Sequence, residues 1–131
     1  MPHATGTFEV RLQPQASREH SGNTLSRMTL DKTFSGDLQG ESSGEMLAAR
    51  TPVDGSAAYV AIERVTATLA GRSGGFTLVH RGWMEQGGQR LLIDVVPDSG
   101  TEALAGIAGT LGLRLEDGVH HYDFDYTLPA G

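Results

Sequence analysis

Polar and apolar side chains alternate along most of this chain, and that period of two constrains the fold more than any other feature. Alternation at this period is typical of β-strands that bury one face. Eight segments carry the pattern, one of them weakly because it contains glycine. They are residues 7–12, 27–34, 42–48, 59–70, 75–84, 90–96, 109–115 and 119–128.

Glycine-rich turns separate these segments, and 18 of the 131 residues are glycine. Many short strands joined by such turns are typical of an antiparallel barrel or sandwich. Ser99 precedes Glu102 by three residues, which is the spacing of a helix-capping box, so one short helical turn is predicted near 101–105. The length fits one domain spanning residues 1–131. The sequence therefore predicts an all-β, antiparallel fold of about eight strands.

Composition excludes several classes of protein. There is no cysteine, which excludes disulfides, iron–sulfur clusters and a thiol nucleophile. The formal net charge is −6, with the Lys and Arg residues scattered, which argues against nucleic acid and anionic membranes as partners. No secretory signal or membrane-length apolar run is visible, so we expect a cytoplasmic protein.

No motif requires a cofactor or predicts a metal site. His121, Asp123 and Asp125 share a strand face, but a solvated outer face explains them better.

Hairpin turns predict which side chains face inward. With a tip at Arg72–Ser73, Val65 lies opposite His80, and odd-numbered residues of 59–69 share a face with even-numbered residues of 76–84. Tips at Gly87–Gly88 and Asp117–Gly118 extend the assignment to the later strands. The face containing Val65 is the more apolar one, and we expect it to form the interior.

Polar residues on this inner face are the informative ones. They are Tyr59, Glu63 and His80, with Lys32 and Tyr126 as further members. A buried carboxylate is costly without a partner, and burial favours its neutral form, so we expect a raised pKa for Glu63 and a contact with His80. Two interpretations stay open: a structural ion pair, or the polar part of a functional pocket.

The opposite face carries charges and hydroxyl groups, but also apolar side chains that would be exposed to water in a monomer. Trp83 and Ile62 are the clearest examples. Exposed apolar patches often mark interfaces, and two-fold assemblies are the commonest. We therefore expect a homo-oligomer, most simply a dimer.

Several segments together resemble a bacterial family, the domain-of-unknown-function family 3224. The resemblance covers nearly the whole chain and rests on residues 4–10 (ATGTFEV), 36–40 (GDLQG), 59–65 (YVAIERV), 95–101 (VVPDSGT) and 121–126 (HYDFDY). That family is similar in fold to the closed eight-stranded allene oxide cyclase barrel. The segment 99–109 looks like the glycine-rich corner of those relatives, but departs from it at Glu102, where they usually have glycine.

The resemblance implies a small-molecule-binding barrel, and a cofactor-independent cyclase or isomerase that folds an apolar substrate. Glu63 would then act as general base or polarising anion and His80 as acid or orienting group. The expected ligand contacts are Tyr59, Leu78, Ile93 and Tyr126. The alternative is a non-catalytic structural or binding module, because an eight-stranded barrel is just wide enough to be filled by its own side chains.

Overall fold

The fold is known from a computed structural model that describes residues 2–85 and 87–129. The described residues form nine β-strands. They are β1 (His3–His20), β2 (Asn23–Gly36), β3 (Leu38–Arg50), β4 (Ala57–Leu69), β5 (Arg72–Glu85), β6 (Gly88–Val95), β7 (Thr101–Glu102), β8 (Ala108–Glu116) and β9 (Val119–Thr127).

Eight of these strands close into an antiparallel barrel, as the family resemblance implies. Strands β1 to β6 follow one another as a meander, β8 and β9 form a hairpin, and β9 pairs with β1. The joint between β6 and β8 is much shorter, and among the described residues it consists of the pair Asp94–Thr110. The two-residue strand β7 pairs with the start of β5, beyond the part of β5 that pairs with β6.

The helical turn predicted near 101–105 is wrong. Thr101 and Glu102 are extended and pair with Gly75 and Gly74, and Glu102 has a positive φ of 55°, which no right-handed helix allows. Ser99 does not cap a helix: its hydroxyl group donates to the carbonyl oxygen of Val96 at 2.7 Å.

None of the described residues forms a helix long and apolar enough to cross a membrane.

The predicted faces are correct, although two of the predicted turns are displaced. The β4–β5 turn lies at Ala70–Gly71, where both residues have positive φ, and not at Arg72–Ser73. Glu63 is therefore opposite Leu78, and His80 is opposite Ala61. In the next hairpin Arg81 is opposite Leu92, two residues from the predicted partner. Both displacements are even-numbered, so every side chain keeps its predicted face.

Strands β1 and β2 continue well beyond the segments predicted for them. They meet at a turn containing Ser21 and Gly22, both with positive φ. Residues 11–20 of this hairpin are exposed on both faces. No burial selects an apolar face there, and for this reason the sequence of the hairpin lacks alternation.

One end of the barrel is filled by its own side chains. Leu104 and Ile107, from the segment after β7, are buried against the inner residues that lie near the start of β5 and the end of β4. The hydroxyl group of Tyr122 on β9 accepts a hydrogen bond from the backbone N–H of Leu38 at 2.8 Å. This bond ties β9 to the start of β3 across the packed end.

Gly44 is a site where the packing requires the absence of a side chain. A Cβ atom there would lie 2.0 Å from the carbonyl oxygen of Ile62 and 2.9 Å from the Cβ atom of Glu63. We expect Gly44→Ala to lower the free energy of unfolding by about 1–3 kcal/mol, measured by urea denaturation. Gly112→Ala is the matched control, because Gly112 is also in a strand and a Cβ atom there meets only an oxygen at 3.7 Å. Equal effects of the two substitutions would contradict the expectation.

Candidate functional site

Four buried polar side chains meet inside the barrel, one from each of the strands β2 to β5. The Glu63 carboxylate is fully buried and accepts hydrogen bonds at both oxygens. Its Oε1 atom lies 2.9 Å from Nζ of Lys32 and 2.6 Å from Nε2 of His80. Its Oε2 atom lies 2.5 Å from Oγ of Ser42. The predicted contact between Glu63 and His80 is thus present, within a larger cluster that we name the Glu63 network.

The strand register explains how these side chains reach one another. Ser42 is directly opposite Lys32 across the β2–β3 pair. His80 is opposite Ala61, one inward-facing position along β4 from Glu63, so the two side chains meet on a diagonal. Glu63 itself is opposite Gly44, which leaves space at its base. A glycine and an alanine beside the longer polar groups thus make room for the network.

The pKa of Glu63 is lowered, whereas burial alone predicts a raised value. Burial is the largest single influence and raises the pKa, but the hydrogen bond from His80, the charges of Lys32 and His80, and the hydrogen bond from Ser42 together outweigh it. The result is a pKa of about 2 against an ordinary value of 4.5. The expectation of a raised pKa was therefore wrong, because three donors act on one carboxylate.

Lys32 has aromatic neighbours as well as its carboxylate partner. Its Nζ atom lies 5.0 Å from the centre of the Phe8 ring and 5.9 Å from that of Phe34. Cation–π attraction of this kind is strongest where water is excluded. The ammonium group is therefore stabilised in the interior by one carboxylate and two ring faces.

His80 is anchored through one ring nitrogen and leaves the other available. Because the Glu63 carboxylate only accepts, Nε2 of His80 carries the proton of their hydrogen bond. Within residues 2–85 and 87–129, Nδ1 of His80 has no hydrogen-bond partner, and no fully buried side-chain nitrogen or oxygen is unpaired. The small accessible part of His80, 4% of its side chain, therefore includes Nδ1.

A cavity of about 390 Å³ occupies the end of the barrel opposite the packed one. Its walls are mostly apolar side chains from the inner faces of β2 to β6, with Arg50 and Gln89 near its rim. The residues that line it are Thr24, Ser26, Met28, Met46, Ala48, Ala49, Arg50, Ala57, Ala58, Tyr59, Trp83, Met84, Gln89, Arg90 and Leu91. We call this space the mouth cavity.

Tyr59 connects the mouth cavity with the Glu63 network. It lines the cavity, and its ring packs on Gly82, where a Cβ atom would lie only 2.6 Å from the ring. Burial, and then the negative charge of Glu63, raise the pKa of Tyr59, so its hydroxyl group stays protonated and can donate. His80 is the next inward-facing residue of β5 below Gly82. The network therefore lies one layer beneath the cavity.

The structure separates the other predicted ligand contacts from Tyr59. Leu78, Ile93 and Tyr126 are buried in the packed core and do not line the mouth cavity. Their role as ligand contacts stays a prediction. Lys32, proposed as an inner polar residue, lies in the Glu63 network, whereas Tyr126 does not.

Sequence reasoning missed Ser42 and the methionines. A β2–β3 turn centred on Asp37 places Ser42 directly opposite Lys32, so the position of that turn predicts that Ser42 faces inward beside Lys32. Met28, Met46 and Met84 line the mouth cavity, and Met28 is directly opposite Met46. These are all the methionines of the chain apart from Met1. The sequence signal for the cavity was that these three methionines face inward near the same end of three strands.

The outer face of β9 shows surface pairing. His3 lies 2.5 Å from Asp125 and 3.6 Å from Asp123, and Arg114 also reaches Asp123. His121 faces the same side, as predicted, and is opposite Arg114 in the neighbouring strand. No group of three or more His, Asp or Glu side chains suited to a metal ion occurs among the described residues.

Comparison with known proteins places the chain among proteins without an assigned activity. The family described as "Protein of unknown function (DUF3224)" matches residues 4–126. A crystal structure of a protein with unknown function from the same family, from Shewanella oneidensis MR-1, is 46% identical, with a TM-score of 0.95. The match covers 100% of this chain and 99% of the other. No curated protein matches.

The lowered pKa of Glu63 predicts a loss of stability in acid. The network stabilises the native state fully above the ordinary pKa of 4.5, and this contribution is lost as the pH falls towards about 2. We expect it to be on the order of 3 kcal/mol, measured by urea denaturation as the difference between the wild type and Glu63→Gln. That difference should shrink between about pH 5 and pH 2.5, while the other carboxylates act equally on both proteins. A constant difference would contradict the prediction.

Proposed function

The chain belongs to the DUF3224 family, whose function is unknown, and we propose that its mouth cavity binds a flexible, mostly apolar small molecule. We further propose that His80, oriented by Glu63, exchanges a proton with the bound molecule. The observation that carries the proposal is the position of a buried carboxylate–imidazole pair one layer beneath an apolar cavity.

The walls of the mouth cavity favour an apolar ligand. Its volume of about 390 Å³ falls within the range of about 300–1,000 Å³ that is usual for small-molecule sites. Met28, Met46 and Met84 contribute flexible, polarisable side chains, which adapt to ligands of varied shape. Tyr59 adds a hydroxyl donor near the deep end. This combination suits a molecule with an apolar body and one polar group.

The contacts of Glu63 favour roles for Glu63 and His80 that differ from those expected from the sequence. Both carboxylate oxygens are already occupied by Lys32, Ser42 and His80, so Glu63 would have to give up a buried partner to take a substrate proton. His80 keeps Nδ1 available. A carboxylate that holds one imidazole nitrogen fixes the tautomer and supports the positive charge formed at the other. We assign His80 as the proton-transfer group and Glu63 as the residue that positions it.

Such a site fits a cyclase or isomerase that needs no cofactor. The cavity would hold a flexible substrate in a folded shape, which supplies proximity and orientation. Nδ1 would remove a proton from one substrate atom and return it to another, so the reaction has no net change in protons or electrons.

The alternative is a barrel in which the Glu63 network is purely structural. Its support is that the four side chains satisfy one another and that the opposite end of the barrel is packed. In that case the mouth cavity binds a ligand without chemistry at His80, or binds none. The two experiments below separate these outcomes.

Filling the cavity should weaken binding without disturbing the network. Ala48 lines the cavity, and Ala48→Phe places a ring inside it. We use N-phenyl-1-naphthylamine, an uncharged apolar fluorophore, and expect saturable binding to the wild type that weakens at least about tenfold in the variant. Native mass spectrometry of protein purified from its host should show a copurified small molecule that Ala48→Phe lacks.

Ala108→Phe is the control for this experiment, because Ala108 is an exposed alanine on β8 outside the cavity. It tests whether any added phenyl ring alters the fluorescence. Unchanged binding by Ala48→Phe, with both variants folded, would show that the mouth cavity is not the site.

The role of His80 is tested by its tautomer. In the neutral ring we expect the proton on Nε2 and none on Nδ1, detected by long-range ¹H–¹⁵N NMR. The fluorophore should shift the Nδ1 resonance of His80 and leave that of His121, on the outer face, unchanged. A proton on Nδ1 in the neutral ring would exclude this nitrogen as the base, even if the cavity binds the probe.

A further inference from the structure

Tyr59 carries a hydroxyl group that the Glu63 network does not use. The side chain is half-buried and lines the mouth cavity. Burial and then the charge of Glu63 raise the pKa of Tyr59, and no hydrogen bond within the described part of the chain is among the causes. A protonated hydroxyl group in a cavity wall, without an acceptor from the protein, is free to donate to a ligand.

Tyr59 and His80 lie on neighbouring strands, in successive inward-facing rows. Tyr59 is directly opposite Gly82, and its ring lies so close to that glycine that a Cβ atom there would be 2.6 Å from the ring. His80 is the next inward-facing residue of β5, about 7 Å farther along the strand. The ring of Tyr59 therefore reaches from β4 onto the strand that carries His80.

The other inward-facing polar residues of the cavity wall lie farther from His80 in the register. Ser26 shares the row of Tyr59, but it belongs to β2, three strands away from β5. The rest lie in the row of Met84, two inward-facing positions from His80, and they are Thr24, Arg50 and Gln89. Tyr59 is therefore the inward-facing donor of the wall that lies nearest to His80.

The weak basicity of imidazole limits what His80 can deprotonate. A carbon atom gives up a proton to such a base only when the negative charge left behind is delocalised. A hydrogen α to a ketone carbonyl meets this condition, because the charge moves onto the carbonyl oxygen and forms an enolate. Inside a cavity that oxygen needs a fixed hydrogen-bond donor, since water is not there to supply one.

Building on the function proposed above, we propose that the mouth cavity takes an apolar ketone, with Tyr59 donating a hydrogen bond to the carbonyl oxygen while His80 moves a proton at the adjacent carbon. The bond between the α carbon and its hydrogen breaks as Nδ1 of His80 gains the proton. The released electron pair forms a carbon–carbon double bond, and the carbonyl π pair moves onto oxygen. Return of the proton to the α carbon restores the ketone, and return to the γ carbon of a β,γ-unsaturated ketone shifts its double bond. Neither outcome consumes an oxidant or a reductant.

The order of charges in the Glu63 network favours this proton transfer. Before the transfer, Lys32 and Glu63 form a buried pair with no net charge. Afterwards the order along the site is ammonium, carboxylate, imidazolium and enolate, so each charge has a neighbour of opposite sign. The total charge does not change, and no isolated charge is left where burial makes it costly. The hydroxyl group of Tyr59 completes the series at the enolate end.

The test is hydrogen–deuterium exchange at the α carbons of 2-tetralone, an uncharged bicyclic ketone. In D₂O the protein should exchange these hydrogens faster than buffer alone, with a rate that saturates as the ketone concentration rises, followed by ¹H NMR. Tyr59→Phe keeps the ring on Gly82 and removes the donor, so we expect kcat for exchange to fall about 100-fold or more with KM little changed. His80→Gln should reduce the rate to that of buffer.

Tyr122→Phe is the matched control, because it also removes a tyrosine hydroxyl group, but at the packed end of the barrel. It should lower the stability of the protein and, at a temperature where both variants are folded, leave the exchange rate unchanged. Equal exchange rates for Tyr59→Phe and the wild type would overturn the assignment of Tyr59.

Displacement of N-phenyl-1-naphthylamine by 2-tetralone measures binding separately from exchange. If the ketone displaces the fluorophore but exchanges no faster than in buffer, the ketone chemistry is wrong and the cavity is still a binding site. The same holds if the fluorophore binds and the ketone does not displace it. If the fluorophore itself does not bind, the function proposed above fails as well.

Discussion

The Glu63 carboxylate is the group on which the interior of this barrel depends. It is fully buried and is held by an ammonium group, an imidazole and a hydroxyl group from three different strands. Removing any one donor leaves a charge or a polar atom unpaired where water cannot replace it. A single side chain therefore links four neighbouring strands in the interior. This constraint also holds His80 in one orientation, which any chemistry at its second nitrogen requires.

The barrel is divided into two unlike halves by this network. On one side, Leu104, Ile107 and aromatic side chains pack the interior. On the other side, alanines and methionines leave a cavity of about 390 Å³. Ala48 and Ala57 are too small to fill the space between the strands there. The network thus lies between the two halves, one layer beneath the cavity and next to the packed core.

Alternation predicted the faces of the strands better than their pairing. The β4–β5 turn was displaced, yet Glu63 and His80 stayed on the inner face, because an even shift preserves the period of two. The pKa of Glu63 was predicted in the wrong direction because its partners Lys32 and Ser42 come from β2 and β3, and the predicted hairpin tips all lie between later strands. The corner at Glu102 depends on a positive φ, which a capping-box spacing does not reveal. The cavity depends on side-chain volumes summed over five strands, and no local pattern contains that sum.

The ring is closed by two unlike joints, and this difference has consequences for how it assembles. Strands β1 and β9 share six residue pairs, from His3–Asp125 to Phe8–His120, between segments more than a hundred residues apart. Contacts so distant in sequence are slow to form, because the intervening chain loses much conformational freedom before they are made. The hairpins between β1 and β6 need no such search. The joint between β6 and β8 is local but, within the described residues, rests on the pair Asp94–Thr110. The barrel should therefore complete its ring last at β1–β9, and amide hydrogens beside β6–β8 should exchange with solvent first.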